Sequence, residues 1–101
     1  MQEYNITSAT TTTLRSLSTS LTGNIKSIGL TNSHLTTAVE VKLFLEDSSS
    51  ERFFICRTTI PGGVTLFVDQ GLSYNTELFA LKIQTSTGGL STSTPLSVII
   101  K

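Results

Sequence analysis

The chain has 101 residues, enough for one apolar core and too few for two. Seven Lys/Arg balance seven Asp/Glu, so no long-range field gathers nucleic acid or an anionic membrane surface, and neither is an expected partner. Eighteen threonines and 14 serines surround short apolar runs, a composition that suits a small β-domain with hydroxyl-rich outer faces.

Residues 1–22 stand apart from the rest. Tyr4-Asn5-Ile6-Thr7 and the run Thr10-Thr11-Thr12-Thr13 have high β propensity but little apolar side chain to bury. They predict either an outer strand or an arm that orders on a neighbouring molecule, followed by a Ser/Thr-rich linker from Arg15 to Leu21. From residue 23 to residue 101 the pattern becomes regular and predicts the sandwich domain proper. Asn24-Ile25-Lys26-Ser27-Ile28-Gly29-Leu30-Thr31 reads as a first core strand, closed by the turn formers Asn32-Ser33. Val39, Val41, Leu43 and Leu45 then alternate with Glu40, Lys42, Phe44 and Glu46, the pattern of a half-buried strand.

Asp47 to Glu51 is a polar connection, and a hairpin is expected to lead into Arg52–Ile60. Pro61-Gly62-Gly63 supplies a fixed φ followed by residues that tolerate positive φ, which predicts a second hairpin into Val64–Asp69. Leu78–Gln84 alternates again, with Phe79, Leu81 and Ile83 on one face, and Leu96–Lys101 reads as the final strand. About seven short strands, with turn signals at roughly ten-residue spacing, predict an all-β antiparallel sandwich of immunoglobulin-like or jelly-roll topology. A small Greek-key barrel is the other way to bury one face of each strand.

The residues that could carry chemistry are scattered. His34, the single histidine, falls in the loop Asn32–Thr36, and zinc or transition-metal sites need several nitrogen or sulfur ligands. Cys56, the single cysteine, lies inside a strand as a small apolar residue would, and it excludes an intrachain disulfide. Glu46, Asp47 and Glu51 flank a turn without the ligand spacing of a calcium loop. Gly62-Gly63 and Gly88-Gly89 open no helix, so turn geometry explains them better than phosphate binding. Asn5-Ile6-Thr7 matches a glycosylation sequon, but the start of the chain lacks the basic and then apolar pattern of a secretory signal. The expectation is a non-enzymatic protein with no cofactor, no metal and no small-molecule substrate. Phe44 and Phe67 both fall on the nominally polar face of their strands, where a subunit interface accounts for an aromatic ring better than solvent does.

The segments Ile25–Asn32, Val39–Leu45, Ile60–Leu66 and Leu78–Ile83 together resemble small β-sandwich virion structural proteins of tailed phages, cyanophage-like ones above all. The resemblance implies a virion protein assembled in the host cytoplasm. It implies a capsid decoration (cement) protein that stabilises the head shell, with a tail, neck or fibre accessory that binds a receptor or glycan as the alternative. Partners would be capsid or tail subunits and further copies of the chain itself. In that picture Tyr4, Ile6, Thr10 and Thr12 of the N-terminal arm, with Phe44 and Phe67 of the sandwich, contact the partner, the arm by adding a strand to an exposed sheet edge.

Overall fold

The computed structural model describes residues 2–17, 24–69, 71–86 and 90–101. The expected Gly88-Gly89 turn and most of the expected linker fall outside these residues. Among the described residues ten strands follow one another: β1 (Gln2–Ile6), β2 (Thr11–Arg15), β3 (Asn24–Ile25), β4 (Ile28–Asn32), β5 (Val39–Glu46), β6 (Arg52–Ile60), β7 (Thr65–Val68), β8 (Leu72–Ser73), β9 (Ala80–Thr85) and β10 (Leu96–Ile100). Eight of them build two four-stranded antiparallel sheets. Sheet A has the order β1-β10-β4-β7, and sheet B the order β2-β9-β5-β6, while β3 and β8 form a separate two-stranded piece. If the eight long strands are renumbered consecutively, the sheets run 1-8-3-6 and 2-7-4-5, which is the double Greek key of a jelly roll. The all-β sandwich expected from the alternating pattern is the observed architecture, and the strand order selects the jelly-roll topology over the immunoglobulin one.

The core lies between the sheets and follows the period-two pattern. From sheet A come Ile6, Ile28, Leu30, Leu96, Val98 and Ile100, and from sheet B come Leu14, Val39, Val41, Leu43, Ile60, Leu81 and Ile83, all buried. Each of these aliphatics contributes about 1.5–3 kcal/mol by leaving water, and together they overcome the entropy of ordering the strands.

Three features depart from the sequence reading. Asn24–Thr31 is two strands rather than one: the chain breaks at Lys26-Ser27, where the Lys26 amide donates to the Lys101 carbonyl at 2.8 Å and Ile25 turns away to pair with Leu72. Pro61-Gly62-Gly63 does make a tight turn, with Gly63 at φ 73°, but it does not close a hairpin. Its flanking strands belong to different sheets, because the turn docks on the preceding loop: the Gly63 amide donates to the Asn32 and His34 carbonyls at 3.0 and 2.8 Å. A side chain at Gly62 would sit 2.6 Å from the Leu35 carbonyl carbon, so glycine is required by space there as well as by conformation at Gly63. Finally, β9 begins at Ala80, since the Leu78 and Phe79 amides close a turn on the Asn75 carbonyl at 3.2 and 3.0 Å.

Candidate interaction surface

The N-terminal segment forms the outer strand of both sheets, and its residues are engaged within the chain. β1 pairs with β10 from Gln2↔Ile100 to Ile6↔Leu96, and β2 pairs with β9 from Thr11↔Gln84. The corner between them is pinned by Thr85, whose Oγ1 donates to the Ser8 carbonyl at 2.9 Å and accepts from the Thr10 amide at 3.2 Å. Tyr4 packs against the core, and its hydroxyl donates to the Leu14 carbonyl across the two sheets. Ile6 is 4% exposed, and Thr12 sits opposite Ile83 on the inner face of sheet B. Of the two expectations for this segment, an arm or an outer strand, the structure shows the outer strand: Ile6 is buried and Tyr4 and Thr12 are turned inward and half-buried, while Thr10 stays exposed at the corner. Ile6 and Leu14 give the segment enough apolar side chain to bury, and its main-chain groups find partners at home.

Phe44 needs a correction. It does lie on the outer face of β5, but it is fully buried by its own chain. The Phe54 ring meets it edge-on with centroids 5.7 Å apart, and the Arg52 guanidinium lies 4.6 Å above its centroid. Arg52 is drawn across the ring by two acceptors, Gln84 Oε1 at 3.2 Å from Nη1 and Glu46 Oε2 at 3.4 Å from Nε. Phe67 is as the pattern implied: it is 62% exposed on the outer face of sheet A. Its ring lies against Gly29, and Ile99, on the other side of Gly29 in the same lateral row, is 39% exposed. The neighbouring row is made of hydrogen-bonded polar groups, with Ser97 Oγ 2.8 Å from Asn5 Oδ1 and the Thr31 and Thr65 hydroxyls also 2.8 Å apart. The outer face of sheet A thus carries one row with Ile99 and Phe67, ending in Glu3 on β1, beside a second row of hydroxyl and amide groups.

Sheet B presents a different face. Its outer rows carry Lys42, Arg52, Arg57 and Lys82 against two carboxylates, Glu40 and Glu46. Glu46 is claimed by Lys82 Nζ at 2.6 Å and by Arg52, and this hydrogen bond from Lys82, with both cationic charges beside it, holds the Glu46 carboxyl below its ordinary 4.5. Lys42 and Arg57 are directly opposite each other in the ladder, and among the described residues no carboxylate lies within ion-pair distance of either. Like charges in that position are unfavourable in the free molecule. The Arg57 guanidinium stands 5.0 Å from the Phe54 ring, which is itself 47% exposed. Phe53 and Phe54 stay exposed because β6 is an edge strand, with no neighbour on its far side to cover them. A β-bulge at Ile55 shifts the register between Leu43↔Cys56 and Phe44↔Phe54, so Phe54 shares the outer face with Arg57 and Lys42 instead of following Cys56 to the inner one. Sequence reasoning missed this cluster because the bulge interrupts the alternation and the Lys42–Arg57 opposition exists only once the register is known. The three consecutive apolar residues Phe53-Phe54-Ile55 were the available signal.

The other residues weighed for chemistry have structural partners. His34 Nδ1 accepts from the Thr36 and Thr37 amides at 3.2 and 3.0 Å, so its lone pair is spent on the loop. Asp47 Oδ1 accepts from the Ser49 and Glu51 amides at 2.9 and 3.0 Å, which shapes the β5–β6 turn. Cys56 is half-buried against the core. Among the described residues no three His, Cys, Asp or Glu side chains gather where they could hold a metal ion.

No protein family and no curated protein matches the chain. Among solved structures, the Anabaena sensory rhodopsin transducer aligns over 98% of this chain and 92% of its own, with 16% identity and a TM-score of 0.44. A structure of the Gt strain of infectious bursal disease virus aligns over 99% of this chain and 28% of its own, with 9% identity and a TM-score of 0.31. Likeness at that level carries no argument, and the fold assignment rests on the strand pairing itself.

Proposed function

We propose that this chain is a non-enzymatic structural protein of a tailed-phage particle, a decoration protein that docks on the subunits of the head shell and stabilises them. The observation that carries the reading is the apolar surface left outside a finished core. Phe53, Phe54, Phe67 and Leu78 are each between 46 and 62% exposed, although the sandwich interior is already filled by aliphatics. Exposed aromatic side chains on flat sheet faces fit protein–protein contact better than solvent. A balanced net charge and hydroxyl-rich faces suit a protein that packs against other proteins at high copy number. The jelly roll by itself assigns no function, since the same architecture serves binding, structural and enzymatic proteins. The resemblance of the core strands to phage virion proteins supplies the particle.

Mass spectrometry of purified virions, with reconstruction at side-chain resolution, tests the proposal. Copies numbering in the hundreds on the shell would support decoration, whereas a handful at the neck or tail would move the protein to the fibre and accessory class. Within the decoration reading, Phe67→Asp leaves the fold intact, because the ring is outside the core, and lowers particle occupancy by about tenfold or more. Undiminished occupancy would remove the sheet A face from the contact.

A further inference from the structure

We infer that β6 is an open docking edge for an acidic extended segment of the partner protein, received by strand addition and selected by the Lys42–Arg57 pair. This rests on the reading that the chain docks on another protein, and it names the surface used and the chemistry received.

Three observations converge on one edge. β6 runs over nine residues and ends the order of sheet B, and among the described residues no main-chain hydrogen bond reaches residues 52–59 except from β5. The edge strands β1, β2 and β7 are shorter, at five, five and four residues. A row of unpaired amides and carbonyls of this length is a template for another strand. Below the bulge, the run from Cys56 to Ile60 keeps a single register against β5, so an incoming strand meets a regular ladder. On the outer face of that run Arg57 and Lys42 form the opposed cation pair, with no carboxylate of the described residues within ion-pair distance, Glu40 one row along the same face and the Phe54 ring beside them.

Charge decides the occupant. Between Arg52 and Ile60 the edge strand has two arginines and no acid, so pairing β6 with β6 of a second copy would bring four guanidinium groups to one seam. That repulsion disfavours self-association through this edge, as charged residues on edge strands commonly do. The same cations favour a strand with Glu or Asp where it passes Arg57 and an apolar side chain where it passes Phe54. A nucleic-acid strand is less well matched: Arg52 and Lys82 are already held by Glu46, and the unpaired main-chain groups of β6 have no counterpart on a phosphate backbone.

The test uses the whole chain and a fluorescent peptide of alternating Val and Glu, with three comparison probes: its Val/Lys analogue, a version interrupted by proline, and a single-stranded oligo-dT. The Val/Glu peptide should bind, weaken with added salt, and shift amide resonances of β6 and the outer face of β5; the proline version should lose about tenfold or more. The charge-reversed protein K42E/R57E should lose the Val/Glu peptide and gain the Val/Lys one. That gain also shows the variant is folded. Equal binding of both peptides, binding indifferent to proline, shifts on sheet A, a preference for oligo-dT, or no binding at all would each overturn the inference. Particles separate it from the decoration reading. Heads that take up K42E/R57E as fully as the native chain would sink the β6 edge and leave decoration standing. Heads without the protein would sink decoration and leave the peptide result untouched.

Discussion

At the scale of single residues, the loop between β4 and β5 depends on one buried amide. Asn32 is 1% exposed, and its Nδ2 donates to the Thr37 carbonyl at 2.8 Å and to the Ile60 carbonyl at 3.1 Å, while its Oδ1 accepts from the His34 amide at 3.1 Å. A buried polar side chain so satisfied specifies the loop, and an apolar replacement leaves two carbonyls and an amide without partners. Asn32→Leu is expected to lower stability by about 2–3 kcal/mol, read from urea unfolding. Ser50 marks the opposite case. It adopts φ 64° in the β5–β6 turn, a conformation that costs a non-glycine residue about 1–2 kcal/mol. Ser50→Gly should raise stability by about 0.5 kcal/mol after the added freedom of the unfolded chain is subtracted, and a lower midpoint would contradict that account of the turn. The sequence announced Asn32 as a turn former, which it is, but its burial depends on Ile60 arriving from a strand 28 residues away. No local pattern carries that information.

At the scale of elements, strands were legible where one face is buried and the period is unbroken. Val39–Glu46 and Leu96–Ile100 were read almost to the residue. The N-terminal segment was harder, because Thr-rich strands look alike whether they pair at home or on a neighbour. Only Ile6 and Leu14 distinguish the two, and each is a single apolar residue among hydroxyls. The structure makes a definite prediction about it. Deleting residues 2–14 removes two buried aliphatics and the outermost strand of each sheet, leaving one side of β10 and of β9 unpaired. With about 2–5 kcal/mol at stake for each large core side chain, in a domain whose whole stability is about 5–15 kcal/mol, the truncated chain should lose its dispersed amide spectrum. A truncated protein with native chemical shifts would show that sheets A and B stand without their first strands. Phe44 teaches the complementary lesson about faces: the alternation placed it outside correctly, and the Phe54 ring together with the reach of Arg52 toward Gln84 covers it there.

At the scale of the molecule, charge is balanced overall but unevenly spread, and the sheet B face holds four of the seven cations. Glu46 is the anion that holds this face together, and its lowered carboxyl fixes the sign of its effect. Because the folded state prefers the ionised form, the stabilising contribution is complete above the ordinary 4.5 and is lost as the pH falls through the lower folded value. Glu46→Gln should therefore reduce the melting temperature near neutral pH and converge with the native chain in acid, the shift being small because surface ion pairs contribute little. A difference that persists unchanged at the lowest pH would assign the effect to packing over Phe44 instead.

The jelly-roll order has a further consequence for how the molecule comes into being. Within sheet A, β10 lies between β1 and β4, so Gln2 finds its ladder partner Ile100 only after every other strand has been laid down. Of the connections between the eight long strands, only β5 to β6 joins neighbours in one sheet. The hairpin around Asp47 is the one pairing between consecutive long strands; β4 must wait for β7, β2 and β5 for β9, and β1 and β4 for β10, all across long intervals of chain, which makes folding slow and late rather than stepwise during synthesis. Until the late strands arrive the apolar faces of both sheets stand open, so the chain exists first as a sticky, unfinished polymer and only afterwards as a closed sandwich.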